Sequence, residues 1–216
     1  MAKKAVSRAS IQKGYQDYIL EEGKAPETVR ILTKHLKISD EDFYKHYGSL
    51  KNIESSIWAD YYHNTMKVLE KDPEFEEMEP REKHLSFLYS MAEIIKADRS
   101  FILYRLEGKK ANDLPQELQK TQKIIVQSDI DWAKSFQFLP DRAQDLTQSA
   151  YKRTLWGHSI ALLLFWVKDD SPGAKDTDVF IEKSTRTVFD IGELPALDSI
   201  FDLSKFFLQK MGLARS

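Results

Sequence analysis

Cysteine is absent from the 216 residues, so disulfides, thiolate metal sites and cysteine nucleophiles are excluded and an intracellular setting is permitted. Glycine and proline are scarce, at eight and seven residues, too few for a loop-rich or β-rich chain. Long apolar runs are missing too. The longest, residues 160–167, falls far short of the roughly 20 residues that span a bilayer. No secretory signal precedes the first helix, and the expected location is the cytoplasm. The five histidines, His35, His46, His63, His84 and His158, are far apart and none sits in an HExxH frame. GxSxG and a phosphate-cradling glycine loop are also lacking. Neither catalysis nor a bound metal or cofactor is expected. With a net charge of −2, the whole-protein field does not attract nucleic acid, so any such contact needs a local patch.

What is present favours helices. Lys, Glu, Leu, Ile and Gln are plentiful, 42% of the residues are apolar and 31% charged, which describes a soluble all-α protein. The N-terminal arm carries Lys3, Lys4 and Arg8 without an acid, a composition that suits a segment near phosphates and equally a solvated tail. From Ser10, the spacing of Ile11, Tyr15, Tyr18 and Ile19 gives one buried helix face, and Gly23 stops it. Pro26 and Glu27 suit the first turn of a second helix lined by Val29, Leu32 and Leu36. After a turn at Lys37, Ser39 reads as an N-cap and Asp42 completes a capping box. Phe43 and Tyr47 then join Leu36, Ile38, Tyr15 and Ile19 in a small three-helix core. A fourth helix starts near Ser49 and runs through Ile53, Ile57, Tyr61 and Val68 into a larger body.

Residues 71–83 are acidic, contain two prolines and read as a solvated connection. Helices are expected over about 81–97, with Leu85, Leu88, Met91, Ala92 and Ile95 on one stripe, and over 100–106. A polar loop covers 108–113. Another helix opens at Pro115 and uses Leu118, Ile125, Ile130, Trp132, Ala133 and Phe136. The helix over about 142–168 ends in WGHSIALLLFWV, apolar nearly all round and hence buried on several sides. Two last helices cover about 176–189 and 197–211.

Residues 26–53 have the outline of a helix-turn-helix. Together with the first helix they resemble the DNA-binding domain of TetR-type transcriptional regulators. The resemblance rests on the helix that ends at Gly23, Thr28-Val29, Ile38-Ser39, Tyr44-Lys45-His46-Tyr47, Ser49 and Ile53, about 45 residues in all. It implies a DNA-binding head over residues 1–48 and a helical ligand-binding and dimerising domain over 49–216. It also implies that Thr28 and Tyr44 touch phosphates, that Ser39, Asp40, Glu41 and Asp42 face the groove, and that His46 lies beside the backbone, with Arg30, Lys45 and Lys51 supplying positive charge. The partners implied are a double-stranded DNA operator, a small hydrophobic effector and a second copy docked through the last two helices. Three positions depart from the pattern: Lys37 replaces the usual turn glycine, Asp42 a small or hydroxyl residue, and Leu50 a phosphate-contacting lysine.

Three acids suit the positive end of a helix dipole. Against DNA they repel phosphates within a Debye length of roughly 8 Å, although an acid can accept a hydrogen bond from cytosine N4. A second resemblance concerns residues 165–184, where Asp169 or Asp170, Ser171, Thr177, Phe180 and Ile181 look like a pattern of the lipid-binding proteins of ubiquinone biosynthesis. Those proteins share the TetR fold without acting as repressors. It implies a lipid- or isoprenoid-binding protein without sequence-specific DNA binding; the same residues also read as a helix stop, a loop and a helix start. A small-molecule pocket between helices is apolar with a few polar anchors. The candidates are Phe87, Met91, Phe101, Tyr104, Trp132, Phe136, Trp156 and Phe165, with Arg105 or His158 as anchors; each equally suits ordinary core.

Overall fold

The computed structural model describes residues 6–128 and 141–192. Its described residues form ten α-helices, and none of them is in a strand. None of these helices is long and apolar enough to cross a membrane. Helix α1 spans Arg8–Glu22. Ser7 and Ser10 close a reciprocal capping box at its start, and Gly23, at φ 65°, ends it in the left-handed region that glycine occupies without strain.

Helix α2 spans Val29–Leu36. It starts later than Pro26 because the Thr28 hydroxyl caps it, accepting the Ile31 N–H at 3.3 Å. Gly14 lets α2 lie close on α1: a Cβ there would sit 2.1 Å from Leu36 Cδ2. Lys37 ends α2 at φ 56°, a left-handed conformation that a side chain adopts at a cost. Helix α3 spans Asp40–Tyr44, and the Ser39 hydroxyl accepts the Asp42 N–H at 3.0 Å. Phe43, Tyr47, Tyr15 and Ile19 are buried and belong to one cluster with half-buried Leu36 and Ile38. This is the small core expected from the spacing. Below, α1 to α3 are the head and the later helices the body.

Helix α4, Leu50–Leu69, is the joint between them. Its buried row contains Ile53, Ile57, Trp58, Tyr61 and Tyr62 and finishes on Thr65 and Leu69. Val68, expected on that row, is 52% exposed instead, because 3.6-residue periodicity carries the face past it. Polar ties fasten α1 to α4: Gln12 Nε2 donates to Asp60 at 2.6 Å and to Ser56 at 2.9 Å.

The acidic connection is less solvated than its composition suggests. Phe75 is buried, and the Lys83 ammonium beside it donates to the Glu76 carbonyl at 2.8 Å. Helix α5, Pro80–Lys96, follows with Pro80 in its first turn and a Glu79–Glu82 capping box. It packs on α4, on α9 (Asp141–Trp166) and on α10 (Lys175–Gly192). Helix α6 spans Arg99–Leu106. The helix expected from Pro115 is two short ones, α7 at Gln116–Gln119 and α8 at Thr121–Gln127, which share the buried row Leu118, Thr121 and Ile125. Ile130, Trp132, Ala133 and Phe136, and the helix expected over 197–211, lie outside the described residues.

The end of α9 is buried through Leu155, Ile160, Leu162, Leu163 and Trp166. One row stays open: Gly157, Ala161 and Phe165, spaced four apart, face outward.

Candidate functional site

In the head, the front of α2 and α3 is a set of exposed polar side chains with charges of both signs. Arg30 pairs with Asp40 at 3.4 Å, and Lys45 reaches Glu41 at 3.2 Å and Asp42 at 3.0 Å. A hydrogen bond from the Thr33 hydroxyl, with help from Arg30, holds the Asp40 carboxyl below the usual carboxylate range. The hydrogen bonds and charges of Asp42 and Glu41 push the Lys45 ammonium up. Every acid of α3 therefore has a cation at hand, and the cations are two of those named from the sequence. Thr28, Ser39 and Lys51 are exposed, His46 is half-buried, and Tyr44 stands out at 57% exposure. Leu50 packs half-buried against the core.

The head is tied to the body through α6. Tyr104 donates to the Gly23 carbonyl at 2.5 Å, at the cap of α1. Arg105 meets the buried Glu54 carboxylate at 2.5 Å, and Tyr15 donates to the other oxygen at 3.2 Å. Burial, with Glu54 beside it, pushes the Tyr15 hydroxyl well up. Tyr61 donates to Asp98 at 3.0 Å and accepts from Gln16 at 3.4 Å. Tyr104 and Arg105, named above as pocket candidates, are placed at this junction.

The other pocket candidates separate in the structure. Phe87, Met91 and Phe101 are buried core on α5 and α6, and Trp156 is half-buried. Trp132 and Phe136 lie outside the described residues. His158 and Phe165 come together in an open groove of about 920 Å³ between α9 and α10. Its walls include Gly157 and Ala161 on one side and Val179 and Phe180 on the other, with Phe165 and Phe180 stacked at 4.5 Å. Val179 and Phe180 are not among the pocket candidates read from the sequence. Their opposition to the open row of α9 comes from the antiparallel crossing.

From the wall of the groove a hydrogen-bonded chain runs inward across three helices. Tyr151 Oη lies 2.9 Å from His84 Nδ1, His84 Nε2 lies 2.8 Å from His158 Nδ1, and His158 Nε2 lies 2.7 Å from Ser184 Oγ. Burial, and for His84 the neighbouring ring of His158, pushes both imidazoles down, so both are neutral at pH 7. Nothing in the spacing of the two histidines signals this pair.

Asp169 links α9 to α10. One carboxylate oxygen accepts from the Ser171 N–H (2.9 Å) and hydroxyl (2.6 Å), the other from the Thr177 N–H (2.8 Å) and hydroxyl (2.6 Å). Burial would raise this carboxyl, but the four hydrogen bonds outweigh it and hold it at about 2. The Asp-x-Ser…Thr pattern thus fastens the loop onto the first turn of α10, the helix-stop, loop and helix-start arrangement.

Among the described residues, a helical head with two helices set across a tight turn is fastened to a larger helical body, the helix-turn-helix class of fold. Residues 83–207 match the family model of the tetracyclin repressor-like C-terminal domain, more than half of the chain, and the protein belongs to the TetR family. No curated protein matches the sequence. Two solved structures are similar. The fatty acid degradation regulator FadR from Bacillus halodurans is 14% identical with a TM-score of 0.52, over 85% of this chain and 95% of that one. A possible TetR family transcriptional regulator from Streptomyces coelicolor A3(2) is 12% identical with a TM-score of 0.47, over 91% and 100%. At 14% identity the likeness to the first is one of fold alone.

Proposed function

We propose that the protein is a dimeric, cytoplasmic DNA-binding repressor whose hold on an operator is modulated by an apolar or amphipathic small molecule. Residues 1–48 act as the DNA-binding head and 49–216 as the ligand-binding and dimerising domain. The observation that carries this reading is the α2–turn–α3 geometry. Its back row, Leu32 and Phe43, is sealed into the core, and its front row, Thr28, Ser39, Glu41, Tyr44 and Lys45, is exposed. Thr28, Tyr44 and Lys51 serve phosphates, and Ser39 to Asp42 face base edges, beside His46. The pairing of Arg30 and Lys45 with the acids of α3 lowers the repulsion that three bare carboxylates would impose on phosphates.

A second copy docks through the last two helices, as a two-fold dimer on a palindromic operator requires; the open apolar groove that α10, the first of them, forms with α9 supports this reading. Effector and operator then weaken each other's binding by the same factor. Titration of the purified protein against labelled DNA flanking its own gene tests the reading: a fragment bound well above the non-specific level, and released by rising salt, supports it. If no fragment binds above that level at low salt, it fails. The acids of α3 and the open apolar groove favour a second reading, a lipid- or isoprenoid-binding protein without DNA recognition. That one requires a bound hydrophobic molecule in mass spectra of gently purified protein.

A further inference from the structure

The hydrogen-bonded chain from the groove wall runs in one direction. Ser184 Oγ lies 2.5 Å from the Phe180 carbonyl oxygen, a separation that requires the hydroxyl to donate. Ser184 therefore accepts from His158 Nε2–H. His158 Nδ1 then carries a lone pair and accepts from His84 Nε2–H, which leaves His84 Nδ1 to accept from the Tyr151 hydroxyl. Each imidazole donates once and accepts once. A further proton on either ring forces Tyr151 to turn from donor to acceptor, and it places a charge between α5, α9 and α10.

No carboxylate among the described residues hydrogen-bonds to either imidazole. The apolar neighbours on α10 are Phe189, edge-on to His84 at 5.5 Å, and Phe180, edge-on to His158 at 6.2 Å. The charged groups of the surrounding helices are engaged elsewhere or lie outside. On α5, Lys83 is held by the Glu76 carbonyl. On α9, Lys152 donates to the Ser128 carbonyl and Arg153 is exposed. On α10, Glu182 takes the Tyr89 hydroxyl, Arg186 pairs with Asp190, and Asp176 and Lys183 line the groove.

We propose that the His84–His158 pair is an acid-released latch: it holds α5 against α9 and α10 while both rings are neutral and opens when the pair takes up a proton. His158 and Ser184 lie in the groove, so opening also disorganises the face on which the second copy sits, a consequence that rests on the dimer reading above. Both folded histidines sit below the ordinary value of 6.5. The unfolded chain therefore binds the extra protons first, and the latch's contribution is complete above pH 6.5 and drains away as pH falls below it.

The test compares wild type with His84→Gln/His158→Gln, which retains hydrogen-bonding side chains but cannot be protonated. Melting temperature, the histidine Cε1–H NMR signals and sedimentation are followed from pH 8 to pH 5. The wild type should lose several degrees more than the variant, its two histidine signals should stay at neutral positions until the latch opens and then move together, and its dimer dissociation constant should rise about tenfold or more. Equal pH slopes in the two proteins, or two signals that titrate independently while melting is unchanged, would overturn the latch. If the variant does not fold, hydrogen-exchange protection of α5, α9 and α10 in the wild type decides: loss by pH 5 supports the latch and constant protection refutes it. A chain that is monomeric at pH 8 defeats the dimer reading, and melting and NMR still judge the latch.

Discussion

In the head, Arg30–Asp40 and Lys45 with Glu41 and Asp42 join side chains that water can reach. In the body and at its junction with the head, Glu54–Arg105, His84–His158 and Asp169 with Ser171 and Thr177 are closed in between helices. Exposed pairs form and break at little cost, because water replaces either partner. A buried group left without its partner keeps the whole desolvation penalty. The surface pairs of the head can thus be remade readily, while the buried ties fix where helices stand. The proposed function places DNA recognition on the part of the molecule whose polar contacts are easiest to remake.

Four substitutions probe that contrast, beginning with the largest effect. Arg105→Leu strands the Glu54 carboxylate and should cost about 3 kcal/mol or more, read from urea unfolding; a loss below about 1 kcal/mol would make the buried tie as slack as a surface pair. Asp169→Ala removes four hydrogen bonds at the start of α10 and should cost about 2 kcal/mol. The Asp169 carboxyl is held at about 2 against an ordinary 3.8, so its contribution is whole above pH 3.8 and is lost as pH falls through 2. Acid melts of wild type and variant should therefore converge at the bottom of that range.

Lys37→Gly relieves the left-handed turn between α2 and α3 and should stabilise the protein by about 1 kcal/mol, measured by calorimetry. No gain would mean that neighbouring contacts offset the strain. Glu41→Gln lies at the small end: melting should not change, while affinity for the operator rises severalfold at low salt as one carboxylate leaves the phosphate field. Weaker binding at one base position would instead mark Glu41 as a reader of cytosine.

The head was the more legible half of the sequence, because its signals are local. Gly23 and Ser39 act on amides three or four residues away, and both do what their chemistry suggests. Pro26 was read as the first turn of α2; the Thr28 hydroxyl caps the helix instead, and Pro26 is buried ahead of it. In the body, aromatic character alone did not separate core from cavity. Phe87 and Phe101 fill space between packed helices, while Phe165 is held at the groove by a partner on another helix. His84 and His158 are 74 residues apart, and no periodicity joins them. The spacing of Asp169, Ser171 and Thr177 was visible; the capping it performs needed the carboxylate's orientation.

On distances alone, Ser184, His158 and His84 stand in the order of a relay that activates a serine for attack on a carbonyl. The protons run the other way. Activation needs His158 Nε2 to take the hydroxyl's proton, but that nitrogen donates, and the hydroxyl's proton rests on the Phe180 carbonyl. Ser184 also lies inside α10, where backbone amides are committed to the carbonyls four residues back and are not free to hold an oxyanion. The arrangement has the spacing of a hydrolytic centre and the proton order of a structural tie, so Ser184 should resist acylation by reagents that label activated serines.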